Sequence, residues 1–131
     1  MFKSLTPDSI MPAFAKYSHG MELPPGMRLI FCSGQLGIDR EGAVPEDTEG
    51  QARLCFENVK AILAEGGMGF EHIVRINAFV TGREHLKPYM KVRDELFEQP
   101  APASTLMIVS GFAREEFTVE VEVVAAGPES V

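Results

Sequence analysis

From Phe117 to Val124 the chain alternates strictly, with Phe117, Val119, Val121 and Val123 on one parity and Thr118, Glu120, Glu122 and Val124 on the other. Side chains two apart share a face of an extended strand, so the first set is predicted to cover helices and the second to line the opposite face. Upstream, Leu29, Ile30, Phe31 and Cys32 run together in RLIFCSGQLG, Arg28 to Gly37. That predicts a strand buried on both faces, ending where Gly34 lets other groups approach the backbone. Thr48 and Gln51 have the spacing of a capping box, and Ala52, Cys55, Phe56, Val59, Ile62 and Leu63 follow at helical intervals. A helix is therefore expected over Thr48 to Glu65, with Gly66 and Gly67 ending it through a left-handed turn. His72 to Val80 is rich in β-branched and aromatic residues and reads as a strand. A second helix is expected from about Glu84 to Phe97, because Pro88 is tolerated only near its first turn. Strands close the chain at Thr105 to Val109 and Phe117 to Ala125.

Strand, strand, helix, strand, helix, strand, strand is an α+β order, a mainly antiparallel sheet with two helices packed on one face. The other face would be half apolar and half carboxylate, a composition suited to an oligomer surface. A length of 131 residues predicts one domain over 1–131. Nineteen acidic residues against twelve basic ones give a formal net charge of −7, with the basic residues scattered. Phosphate backbones would be repelled, so nucleic acid is not an expected partner. Cys32 and Cys55 lack metal-ligand spacing and read as buried thiols in a reducing cytosol. The apolar runs fall far short of the ~20 residues that span a bilayer, and the N-terminus lacks a secretory signal's basic start and apolar stretch. A cytoplasmic protein with no membrane partner is expected.

Several phrases in order along the chain resemble the reactive-intermediate deaminase family (RidA, YjgF), also called endoribonuclease-like. They are AKYSHG at Ala15, LIFCSGQLGID at Leu29, QARLCFENVKAILAEGG at Gln51, RINAFVTGREHL at Arg75, YMKVRDELF at Tyr89 and FTVEVEVVA at Phe117. The resemblance implies a homotrimer with a cleft between neighbouring subunits, and hydrolysis of imines and enamines without a cofactor. Residue by residue it implies site roles for Tyr17, for Ser33 and Gly34 of CSGQ, and for Glu120 of VEVE. It also marks a departure: where the family's Pro-Ala-Arg-Ser phrase carries an arginine that grips a substrate carboxylate, this chain reads Pro102, Ala103, Ser104, Thr105. A guanidinium supplies charge and a bidentate grip, whereas a hydroxyl supplies one neutral hydrogen bond. A helix position often filled by asparagine is here Met90.

Glu120 and Tyr17 are thus the expected catalytic residues, and Ser33, Gly34, Ser104 and Thr105 the expected substrate-binding ones, with no metal. Each has a plainer reading: a solvated strand glutamate for Glu120, loop packing for Tyr17, and ordinary turn and strand residues for Ser104 and Thr105. His19 is an acid or base candidate by residue type but shows no partner in sequence. Arg75, Arg93 and Arg114 are candidates for a relocated cation, against the ordinary reading of surface arginines. The expected function is hydrolytic deamination of a small imine or enamine other than the usual 2-imino acid. The alternatives are a ring-fission enamine deaminase of the 2-aminomuconate kind and a trimer that binds a ligand or partner without catalysis.

Overall fold

The computed structural model describes residues 2–129. A short antiparallel ribbon of β1 (Lys3–Leu5) and β2 (Gly20–Glu22) precedes β3 (Arg28–Leu36), α1 (Thr48–Glu65), β4 (Ile73–Val80), α2 (Leu86–Leu96), β5 (Ala103–Ile108) and β6 (Val119–Gly127). The main sheet runs β3-β6-β4-β5. β6 pairs antiparallel with both β3 and β4, while β4 and β5 are parallel. Parallel neighbours need a crossover, and α2 provides it. The architecture is the expected α+β one.

α1 has the predicted bounds, but its cap differs. Asp47, in extended backbone, accepts a hydrogen bond from Gly50 N at 2.8 Å, so Thr48 is the first helical residue and no capping box forms. The two residues read as that box have other partners. Gln51 is fully buried, donates to Pro45 O at 3.0 Å and Glu116 O at 2.8 Å, and accepts from Thr118 N at 2.9 Å. Thr48 Oγ1 lies 2.6 Å from His85 Nδ1 and 2.8 Å from Thr118 Oγ1. Together they fix the start of α1 against the approach to β6 and the turn before α2. At the other end only Gly67 is left-handed, at φ +73°.

Ala52, Cys55, Phe56, Val59 and Leu63 of α1, with Tyr89 and Val92 of α2, are buried in one core with the inward residues of β4 and β6. Val119, Val121 and Val123 are among these, as their alternation requires. Gly37 marks the closest approach of the layers: a Cβ there would stand 2.7 Å from Gln51 Cα, a backbone atom that cannot yield.

β3 departs from its reading. It is an edge strand whose apolar run serves two faces, with Cys32 buried and Ile30 packed against the core, while Phe31 is 74% exposed and Leu29 also stands in the open. Leu29 to Cys32 has the sequence of a doubly covered strand, yet one chain supplies only one covering layer. Met107 on β5 is likewise exposed on the uncovered side.

Candidate functional site

The register between β3 and β6 sets one group of candidate residues. Cys32 pairs with Val123 and the ladder resumes at Gln35 with Val121, so Ser33 and Gly34 together oppose Glu122 in a bulge. The carboxylate of Glu120 lies against the bulged backbone at Gly34. A Cβ at that position would sit 2.7 Å from Glu120 Cδ and 3.0 Å from each carboxylate oxygen. Burial raises the Glu120 pKa above its ordinary value, and the neighbouring negative charge of Glu122 raises it further. Glu122 in turn accepts from Asn77 Nδ2 at 3.1 Å, beside a depression of about 360 Å³ lined by Phe31, Ser33, Asn77 and Val124. Both thiols are held protonated. Burial and then Glu122 push the Cys32 pKa up, and burial and then Glu120 push that of Cys55 up to about 12, so neither is a nucleophile.

Gly34→Ala is expected to leave the fold close to wild-type stability, because the carboxylate that meets the new methyl is the end of a flexible side chain. It should nevertheless move Glu120 and cut any Glu120-dependent activity by roughly tenfold or more, since placement within about an ångström governs such chemistry. Thermal melts and turnover measured on the same sample check both halves.

A second group gathers at the start of β5. Ser18 N donates to Pro102 O at 3.1 Å and Ser18 bridges Ala103 in parallel register, which sets His19 alongside Ser104. The Tyr17 ring meets that of His19 edge-on, with centroids 5.9 Å apart. Ser104 shares its parity with Leu106, which packs against the core, so it faces the helix layer, and its Oγ is buried without a partner. Thr105 points to the opposite face, where its Oγ1 accepts from Arg75 Nη2 at 2.8 Å. Strand alternation thus separates Ser104 from Thr105, which sequence proximity had grouped.

The two groups do not meet within one chain. Ala103 is level with Val124 through Arg75, and Glu120 lies four residues along β6 from Val124, two strands from β5. At about 4.8 Å per strand and 3.3 Å per residue, Glu120 and the start of β5 are roughly 16 Å apart. Glu120, Ser33 and Gly34 form one group of candidate residues, and Tyr17 and Ser104 the other, each a half-site only if copies of the chain bring them together.

Of the three arginines considered as relocated cations, Arg75 is exposed and bonded to Thr105, and Arg114 lies 4.8 Å over the Phe117 ring and 3.2 Å from Glu116. Arg93 is different, being only 4% exposed. Asn77 was not singled out in sequence, although alternation in RINAF places it with Arg75 on the face of Glu122. A concavity of about 440 Å³ lined by residues including Phe2, Met21, Phe97 and Pro100 contains none of the candidate residues.

The sequence model of the family described as Endoribonuclease L-PSP matches residues 8–127, a span that includes both half-sites. The chain belongs to the Endoribonuclease L-PSP family. Among its relatives in that family is the RutC family protein YjgH of Escherichia coli strain K12, 36% identical over 103 residues that cover 77% of each chain. The chain is also 36% identical over 81 residues to the 2-iminobutanoate/2-iminopropanoate deaminase of Salmonella typhimurium strain LT2, covering 61% of each. A solved structure from Yersinia pestis, the protein of unknown function YyfB of the conserved Rid protein family, superposes with a TM-score of 0.85. It covers 96% of this chain and 98% of its own at 22% identity, which establishes the shared fold. The resemblance to RidA and YjgF read from the sequence is borne out.

Proposed function

We propose that this protein is a cofactor-independent hydrolase that releases ammonia from a small imine or enamine. Its site forms where the Glu120 half-site of one copy meets the Tyr17 and Ser104 half-site of the next in a homotrimer. The observation that carries this reading is the Glu120 carboxylate, held against Gly34 with its pKa raised. A carboxylate whose pKa is raised is, once ionised, a better proton acceptor than an ordinary one. The opposite positions of the half-sites support assembly, since a head-to-tail contact that joins one sheet edge to the other gives a closed ring whenever its rotation closes.

In the chemistry this arrangement supports, water adds to the C=N carbon while Glu120 accepts its proton, giving a carbinolamine. With the C=N entering in its protonated form the carbinolamine is neutral; Glu120 then returns the proton to nitrogen, and as the C–N bond breaks it takes up the hydroxyl proton, so that ammonia leaves as the carbonyl forms. Backbone groups of the bulge at Ser33 and Gly34 are available to orient the water or the nitrogen. Tyr17 lines the facing wall.

Ser104 bears on the substrate. A charged hydrogen bond contributes roughly 1.5–3 kcal/mol, so without an arginine on this strand an ordinary 2-imino acid is expected to react about one to two orders of magnitude more slowly than in a protein that has it. The test measures ammonia and carbonyl product from matched imines, one a 2-imino acid generated in situ by an amino-acid oxidase and one lacking any carboxylate. Turnover of neither, nor of enamines, removes the hydrolase reading and leaves a ligand-binding protein. Fast turnover of the 2-imino acid removes the substrate argument.

A further inference from the structure

Among the described residues, four buried side-chain polar atoms lack a hydrogen-bond partner: His19 Nε2, Tyr89 OH, Arg93 Nη2 and Ser104 Oγ. Buried polar groups are nearly always satisfied, because one left without a partner has lost its water and gained nothing in return. These four are not scattered. Tyr89 and Arg93 are one turn apart on α2, with the guanidinium carbon 5.8 Å from the Tyr89 ring centroid. Lys16 Nζ donates to Asp94 O at 3.0 Å, which fastens the segment leading to His19 against the end of α2 beside Arg93. Ser18 fastens the same segment to Ala103, with His19 alongside Ser104 on the side that α2 covers. Arg93, His19 and Ser104 are thereby brought toward one corner, between the end of α2, residues 16–19 and the start of β5, with the Tyr89 ring under the guanidinium on its core side.

That corner is rich in donors, with Asp94 the acidic group paired to Arg93. Arg93 Nε donates to Asp94 Oδ1 at 3.1 Å, and Nη2 lies 3.1 Å from the same oxygen as an ion pair but makes no hydrogen bond of its own. The Asp94 side chain is half in solvent and engages one edge of the guanidinium, leaving most of its five N–H donors available. The other three groups are an imidazole and two hydroxyls, each able to donate. No carboxylate is among the four. Such a set suits the oxygens of an anion, and a planar guanidinium suits a carboxylate above all.

We propose that Arg93, with His19, Tyr89 and Ser104, forms a carboxylate-recognition subsite whose cation comes from α2 and not from β5. Its assignment to a substrate rests on the deaminase reading above; its existence as an anion site does not. The cation stands in the helix layer above the strand, so the carboxylate it takes is farther from the reacting C=N carbon than in a 2-imino acid. Imines or enamines with a carboxylate several bonds from the reacting carbon are the class it selects.

Glutarate is an unreactive probe of the site, and its binding to the intact protein is read by saturable NMR shifts of residues around β5. Wild type is expected to bind it. Arg93→Lys, which keeps the charge but loses the fork, should weaken binding roughly tenfold, and Arg93→Gln should abolish it, while exposed Arg114→Gln binds as wild type. For carboxylate-bearing imines Arg93→Gln should raise KM tenfold or more and leave a neutral imine unaffected, a split that a merely structural arginine would not produce. No saturable glutarate binding by wild type overturns the proposal, as does undiminished affinity in the variants. Should Arg93→Gln not fold, undiminished affinity in Arg93→Lys alone overturns it. If no imine is hydrolysed but glutarate binding depends on Arg93, the deaminase reading falls and the anion site stands.

Discussion

Two inactive variants should recover activity when their chains are assembled together. Tyr17→Ala removes one half-site and Glu120→Gln disables the other, and each pure protein is expected to lose activity by roughly a hundredfold or more, the scale on which positioned acid–base groups act. In an equimolar mixed assembly with head-to-tail contacts, about one quarter of the interfaces join an intact Glu120 to an intact Tyr17. Close to that fraction of wild-type activity should reappear. The expectation follows from the sheet order β3-β6-β4-β5, which puts the bulge at Ser33 and Gly34 and the Ser18–Ala103 bridge at opposite edges. Were the site built within one chain, every chain in the mixture would carry a lesion and none would recover. Sedimentation equilibrium on the wild type supplies the companion measurement, because a stable monomer at micromolar concentration leaves no interface to complement.

The elements were legible because their periodicities are strong. The alternation from Phe117 and the helical spacing from Ala52 each point to one structure, and both formed. The two short N-terminal strands carried no comparable signal, since β1 and β2 have three residues each. The cap was misread for a local reason: Thr48 and Gln51 have the right spacing, but Asp47 reaches Gly50 first and the fold draws both others into contacts with residues 65–70 positions away. The candidate site residues were named only through the family resemblance, and the strand order that separates them into two groups within one chain was not legible at all. Which strands lie at the edges depends on sheet order, and sheet order is set by β6 inserting between β3 and β4, a long-range pairing with no local signature. The burial of Arg93 was hidden for a related reason. Its helical position lies on the boundary between core and surface, and only the segment around Lys16, about eighty residues earlier, closes over that side.

Glu120→Gln should separate function from stability. Activity is expected to fall by about 10²- to 10⁴-fold, because glutamine keeps the shape but accepts no proton. Stability at neutral pH should be unchanged or higher. Burial first, and then the charge of Glu122, raise the Glu120 pKa in the fold, so the ionised carboxylate is disfavoured there relative to the unfolded chain. The stabilisation that this shift provides is fully present below the unfolded-state pKa and is lost as pH rises through the folded-state one. Raising the pH therefore costs the wild type stability through this group, and the variant, which has nothing to ionise there, is free of that cost. Any stability advantage of Glu120→Gln should shrink as the pH is lowered through that window. The same shift places the acid limb of kcat/KM above the ordinary glutamate range, and Glu122→Gln should move it downward by removing the like charge that faces Glu120. Urea denaturation from pH 4 to 8, beside a pH–rate profile for both variants, tests each step. If Glu120→Gln is destabilised at neutral pH and keeps its activity, Glu120 holds the β3–β6 bulge together and takes no part in the chemistry.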